Sequence, residues 1–251
     1  MERVTPLFVT GMGRSGTTNA LRVLNCHPKV MLNGEIALPV LKRFFALLEI
    51  LDQTTGGDER MEDDWRARKA DYMFSSFGYL AKLGRGRLDK LGEATYLGHK
   101  SPRLEMLFGE YEEHFGSAGL KPRYVYCTRN PFDCWRSYSS QSWNSYDGVG
   151  QFLNDYGRSH RRLRRMQNTI PDRVFVVALD ALKAAPDPFA FYSETLYAPL
   201  GLEIDDKTRR RIAKVHFEAK RGSASRTLGA EDRARIEDYL SASEKNAADS
   251  A

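Results

Sequence analysis

Two short stretches hold residues whose types and spacing suit the binding of anions. The first, LFVTGMGRSGTT over residues 7–18, is an apolar run followed by three glycines, one arginine and three hydroxyl side chains. Gly11, Gly13 and Gly16 satisfy G-x-G-x-x-G, the dinucleotide fingerprint, and Glu35 comes about where a ribose-binding acid would close the second strand. Against that reading, Arg14, Ser15, Thr17 and Thr18 crowd a turn that uses small residues for close helix–sheet packing. The outer frame of G-x-x-x-x-G-K-[ST] is also present, but Thr17 replaces the lysine that reaches the β- and γ-phosphates. A triphosphate without that lysine loses its main cation, and here the positive charge has moved to Arg14, inside the loop. What remains is a helix N-terminus with unpaired N–H groups, a guanidinium and hydroxyls, which together make an anion cradle.

The second stretch, YCTRNPFDCWRSYSS, follows a β-rich run and opens a helix. Asn130 suits the cap, Pro131 the first helical position, and Asp133 the positive helix end. Arg129 stands at the strand end, and Ser137 lies ~9 Å along the helix axis from Pro131. An arginine beside a helix N-terminus suits a phosphate monoester of charge about −1.5 to −2. No apolar run ending in a paired acid marks a metal site, so none is expected.

The elements around these stretches must bring them together. Apolar and β-rich runs predict strands over 6–10, 29–32, 124–128 and 174–179. Helical spacing predicts helices over 17–25, 39–51, 59–83, 132–141, 152–166, 189–200 and 205–216. Strands alternating with helices imply an α/β class with a mainly parallel sheet, whose ligands sit beyond the carboxyl ends of the strands. Both stretches lie there. Residues 1–240 read as one domain, with about 41–91 as a helical insert shaping the acceptor site, and the small polar residues 241–251 as a frayed tail. Five arginines in the 152–166 helix, Arg158, Arg161, Arg162, Arg164 and Arg165, read as a solvated face.

A chain of 251 residues, 41% hydrophobic and 28% charged, can bury a full α/β core. The net charge of +5 is accounted for by solubility, so neither nucleic acid nor membrane is expected as a partner, and the oligomeric state stays open. Three cysteines without CxxC spacing argue against a disulfide framework or zinc site. The apolar stretch over 38–51 is too short and too charged to span a bilayer, and no signal-peptide core precedes the glycines. A soluble, cytoplasmic protein is the expectation.

GMGRSGTT resembles the 5′-phosphosulfate loop of the sulfotransferases that use 3′-phosphoadenosine 5′-phosphosulfate (PAPS), with Gly13 where that family often has proline. The match R-[DN]-P-x-D-x-x-x-S, on Arg129, Asn130, Pro131, Asp133 and Ser137, is similar to the family's 3′-phosphate motif. A late basic-basic-glycine turn at Lys220, Arg221 and Gly222 resembles the family's closure over the same phosphate, and a fainter strand–D-x-L–P likeness spans VFVVALDALKAAPDPF. The resemblance implies a P-loop-like three-layer fold with helices on both faces of the sheet. It implies transfer of a sulfuryl group to a small-molecule or glycan hydroxyl, leaving 3′,5′-adenosine bisphosphate. The stretch G-E-x-x-x-x-P after the first helix is similar to the tyrosylprotein and Golgi-type branch, which makes Glu35 the general base. GHKSPR resembles the K-x-P segment, which makes Lys100, assisted by Arg14, the cation for the leaving phosphate, and His99 a second-choice base after the cytosolic branch. A small-molecule kinase, an inactive nucleotide-binding relative and a dehydrogenase are the rival readings.

Overall fold

The computed structural model describes residues 4–81, 93–221 and 227–248. Side chains alternate along β1 (Thr5–Thr10): Leu7 and Val9 enter one core and Phe8 the other. β4 (Arg123–Thr128) repeats the pattern, with Val125 and Cys127 on the first face and Tyr124 and Tyr126 on the second. A sheet apolar on both faces must be covered on both, and helices do so.

β2 (Val30–Asn33), β3 (Tyr96–Lys100) and β5 (Val174–Ala178) complete a five-stranded sheet in the order β2-β3-β1-β4-β5. All its pairings are parallel. β3 carries no strand signal in the sequence, since YLGHK is short and interrupted by Gly98 and two basic residues. Tertiary burial makes it a strand: all five residues are buried. Gly98 is required there, because a Cβ would stand 1.9 Å from the Leu7 carbonyl oxygen of its partner strand.

On the first face lie α1 (Thr17–Leu24), α7 (Leu179–Ala184), α8 (Pro188–Tyr192) and α9 (Asp206–Arg221). The chain after α8 continues through a π-helical turn at Ser193–Tyr197. On the second lie α2 (Leu38–Thr55), α3 (Glu59–Leu80), α4 (Phe108–Ser117) and α6 (Val149–Thr169). Phe44, Phe45 and Phe77 of α2 and α3 fill that core rather than lining an open wall, while Tyr79 is exposed. Asp52 joins the two helices to α4 by accepting from Trp65 Nε1 at 2.6 Å and from the buried Lys69 at 2.7 Å, whose Nζ also reaches Ser117 at 2.9 Å.

α5 (Pro131–Ser139), α6 and α10 (Ala230–Ala248) form a third cluster over the glycine loop, through Met12, Trp135, Tyr138, Phe152 and Ile236. α10 runs on through residues 241–248, where alanine, glutamate and lysine are good helix formers. Among the described residues no helix is long and apolar enough to cross a membrane.

Candidate functional site

The glycine loop leaves β1 between its two neighbours in the sheet. Gly11 has φ +126° and passes so close to β4 that a Cβ would lie 2.3 Å from the Cys127 carbonyl oxygen. Gly16 (φ +101°) turns the chain into α1. At Gly13 a Cβ would meet the Tyr138 hydroxyl at 1.9 Å. The Tyr138 ring of α5 therefore packs against this position, and a side chain there would have to displace it. Arg14 holds φ +65°, a conformation that costs a non-glycine residue about 1–2 kcal/mol and that clusters at functional sites.

α1 begins with no side-chain cap among the described residues and no acid in its first turn, so its N-terminal N–H groups face outward uncompensated. Ser15 and Thr17 are buried, Thr18 and Arg14 are exposed, and the buried Ser15 hydroxyl finds no partner among the described residues.

The two stretches singled out in the sequence meet in the fold. Arg14 Nε donates to Ser137 Oγ at 2.8 Å, and Arg129 Nη1 donates to the Arg14 carbonyl at 3.2 Å. Arg129 also pairs with Asp133 at 3.1 Å, while its Nε is buried without a partner among the described residues. Asn130 caps α5 by accepting from the Asp133 N–H at 2.8 Å, as its sequence position implies. Burial works against the Asp133 charge, but Lys183 at 2.6 Å and the Arg129 guanidinium outweigh it and hold the carboxyl at about 2.

Beside the loop, Lys100 ends β3 and Glu35 follows β2, and Lys100 Nζ donates to Glu35 Oε2 at 2.7 Å. The lysine side chain is 4% exposed and the glutamate 43%, so the carboxylate keeps an open side toward an incoming molecule. Ser101 positions the pair. Its hydroxyl donates to the Ile36 carbonyl at 2.9 Å and accepts from the Ile36 N–H at 3.0 Å, clamping the Glu35 segment to the end of β3.

His99 lies on the other face of β3, as strand alternation requires. It is fully buried between the Phe8 and Phe77 rings, with Nδ1 3.1 Å from Ser101 Oγ and Nε2 2.7 Å from Tyr111 Oη. The Ser101 proton is committed to Ile36, so Nδ1 donates to Ser101 and Nε2 accepts from Tyr111. Burial pushes the ring's pKa down to about 3. Both nitrogens are engaged and neither faces the loop, so His99 supports Ser101 and is not brought to the anion site.

α9 runs through Lys220 and Arg221, whose side chains, like all of Gly222, fall outside the described residues; so does the expected closing turn. Several residues around the loop lie outside the two motifs. Asp180, at the start of α7, accepts from the Asn130 N–H at 2.6 Å and from its side chain at 2.9 Å. The faint D-x-L likeness was its signal. Tyr138 covers Gly13, and Arg103, the other non-glycine residue at φ +65°, donates its N–H to the Gly11 carbonyl at 2.9 Å and pairs with Asp155 at 2.6 Å.

This arrangement can hold an anion with two separated charged ends and place a carboxylate and an ammonium beside it. A family model described as the sulfotransferase family matches residues 6–206. Among solved structures, the sulfotransferase STF9 from Mycobacterium avium is 15% identical, with 97% of this chain and 76% of that one covered at a TM-score of 0.55. The sulfotransferase domain of the Synechococcus PCC 7002 olefin synthase is 16% identical, with 96% of each chain covered at 0.51. The sulfotransferase domain from the curacin biosynthetic pathway is 15% identical, with 95% of this chain and 98% of that one covered at 0.52. At such identities these likenesses concern the fold. A comparison with curated proteins finds no match. Because the family model spans the glycine loop, the Glu35–Lys100 pair and the Arg129 helix in one continuous match, the chain belongs to the sulfotransferase family of enzymes.

Proposed function

We propose that the enzyme moves a sulfuryl group from PAPS to a hydroxyl of a small molecule or glycan, with Glu35 as general base. The observation that supports this most is the direct joining of the two anion-binding stretches by Arg14 and Ser137, because PAPS carries a 5′-phosphosulfate and a separate 3′-phosphate. The site fits such a donor. The unpartnered Ser15 hydroxyl, the uncapped start of α1 and Arg14 suit the phosphosulfate end, and the unpartnered Nε of Arg129 with Ser137 suits the other. When bound, the donor supplies a sulfuryl group already activated by its phosphate.

The chain's own residues then divide the work. Glu35, open on one side, takes the proton of the acceptor hydroxyl as that oxygen attacks. Lys100 and Arg14 neutralise the charge that grows on the departing phosphate oxygen. In the resting arrangement Lys100 is bonded to Glu35, which holds the lysine and the carboxylate in place before substrates arrive. The loop and α5 fix the geometry for in-line transfer, so positioning and charge carry most of the catalysis. His99 is unsuited to the base role, since a ring held neutral to about pH 3 with both nitrogens bonded has no site for the proton.

A thermal-shift screen with the bisphosphate, ATP and NAD tests the donor. Bisphosphate at about 100 times its Kd should raise the melting temperature by about 5–10 °C. A response to ATP or NAD alone would sink the reading in favour of a kinase or dehydrogenase. A screen of hydroxyl acceptors with radiolabelled donor then tests the base. Glu35→Gln should lower transfer about 10²- to 10⁴-fold while bisphosphate still binds. Full activity in that variant would show that another group takes the proton.

A further inference from the structure

Glu105 has no exposed surface and lies against the start of the glycine loop. Its Oε2 accepts from the Thr10 hydroxyl and from the Gly11 N–H at 3.3 Å, and its Oε1 accepts from the Ser159 hydroxyl. The protons available fix the bonds on the loop side. The Glu105 N–H donates to Thr10 Oγ1 at 3.2 Å, which leaves the one Thr10 proton for the carboxyl. On the side away from the loop Ser159 Oγ bridges Oε1 to Tyr126 Oη, 2.5 Å away. One carboxyl oxygen therefore accepts from two donors of the loop.

A carboxyl is disfavoured in such a place: burial pushes it up, with the hydrogen bonds opposing. Its geometry explains its presence. Gly11 is held at both ends by one short segment, its N–H by Glu105 and its carbonyl by the Arg103 N–H at 2.9 Å. The peptide at which the loop leaves β1 is thereby fixed in direction.

We propose that Glu105 is a positioning residue for donor binding: by holding Gly11 and Thr10 it sets the exit of the loop, and so aims the N–H groups at the start of α1 toward the donor. This rests on the donor reading above. The test is calorimetric binding of 3′,5′-adenosine bisphosphate to the wild type and to Glu105→Leu, Thr10→Val and Ser159→Ala, with the melting temperature of each. Glu105→Leu should weaken binding about tenfold or more, since it leaves the Gly11 N–H and the Thr10 hydroxyl without their shared acceptor. Thr10→Val should weaken it about threefold, and Ser159→Ala less than twofold, although that variant breaks a bond to the same carboxyl on the side away from the loop. No binding by the wild type overturns the donor reading and this proposal with it. Wild-type binding with equal or tighter binding by Glu105→Leu overturns the proposal alone, because the loop would then keep its aim without the carboxyl. An equal loss in Ser159→Ala also overturns it, by showing that general core order is what matters. If Glu105→Leu does not fold, the contrast between Thr10→Val and Ser159→Ala decides.

Discussion

Arg129 is drawn to two partners at once, the Asp133 carboxylate of its own helix and the Arg14 carbonyl of the glycine loop. That leaves its guanidinium oriented but not saturated, because Nε has no partner among the described residues. A bonded cation with a donor in reserve is what a phosphate monoester requires. Arg129→Ala should weaken bisphosphate binding about 10- to 100-fold, the worth of hydrogen bonds to a charged group, while barely changing the binding of 5′-AMP, which lacks the 3′-phosphate. Equal losses for the two nucleotides, measured by calorimetry, would place the phosphate elsewhere. At this scale the sequence was legible where one residue type has one use, as with the capping Asn130 and the loop Arg14. It was silent on Glu105, Ser101 and Tyr138, because a buried glutamate, serine or tyrosine acquires its role only from what folds against it.

Among the elements, β3 shows the same limit most sharply. Its five residues have neither alternation nor a continuous apolar run, yet it delivers Lys100 to the site from the strand beside β1. The pairing depends on Gly98, whose Cα faces Leu7. Gly98→Ala should cost more than ~3 kcal/mol or abolish folding, since its methyl would overlap a backbone atom that cannot move without breaking β1. Gly78→Ala in α3 is the control. It has open space around it and should stabilise the protein by up to ~1 kcal/mol in the same denaturant titration. A small effect at Gly98 would mean that β1 and β3 are less tightly joined than their register implies. The strands β1, β2, β4 and β5 and the helices α1 and α5 were readable within about two residues, because their periodicity and caps are local properties, whereas α2 runs on four residues past its expected end. α4 and α10 carried no such start signals and are held by packing.

For the molecule as a whole, the two apolar faces of the sheet bury polar rings as well as hydrocarbons, and this gives stability a pH dependence. Burial pushes His99, His114 and His160 all below the ordinary histidine value of 6.5, His99 to about 3. The unfolded chain then takes up protons before the folded one does. Stability is full above about pH 6.5 and falls as the pH drops toward 3. Thermal unfolding between pH 8 and 4 should show this decline, and His99→Asn should flatten part of it; an unchanged slope would mean that His99 is not the group responsible. The α/β class with its parallel sheet followed from strands alternating with helices and the three layers from the family resemblance, whereas the strand order followed from neither, because nothing local says which strands become neighbours.

The bonds between Arg14, Ser137 and Arg129 have one more consequence. The loop that carries one cation and the turn that carries the other spring from β1 and β4, paired strands set about 4.8 Å apart by the sheet's own hydrogen bonds. Their roots therefore keep one separation whatever the site holds. On the donor reading the site is then a caliper. A nucleotide is sorted by the separation of its charged ends, and one whose phosphate sits on the 2′ rather than the 3′ oxygen should bind more weakly in the same calorimetry.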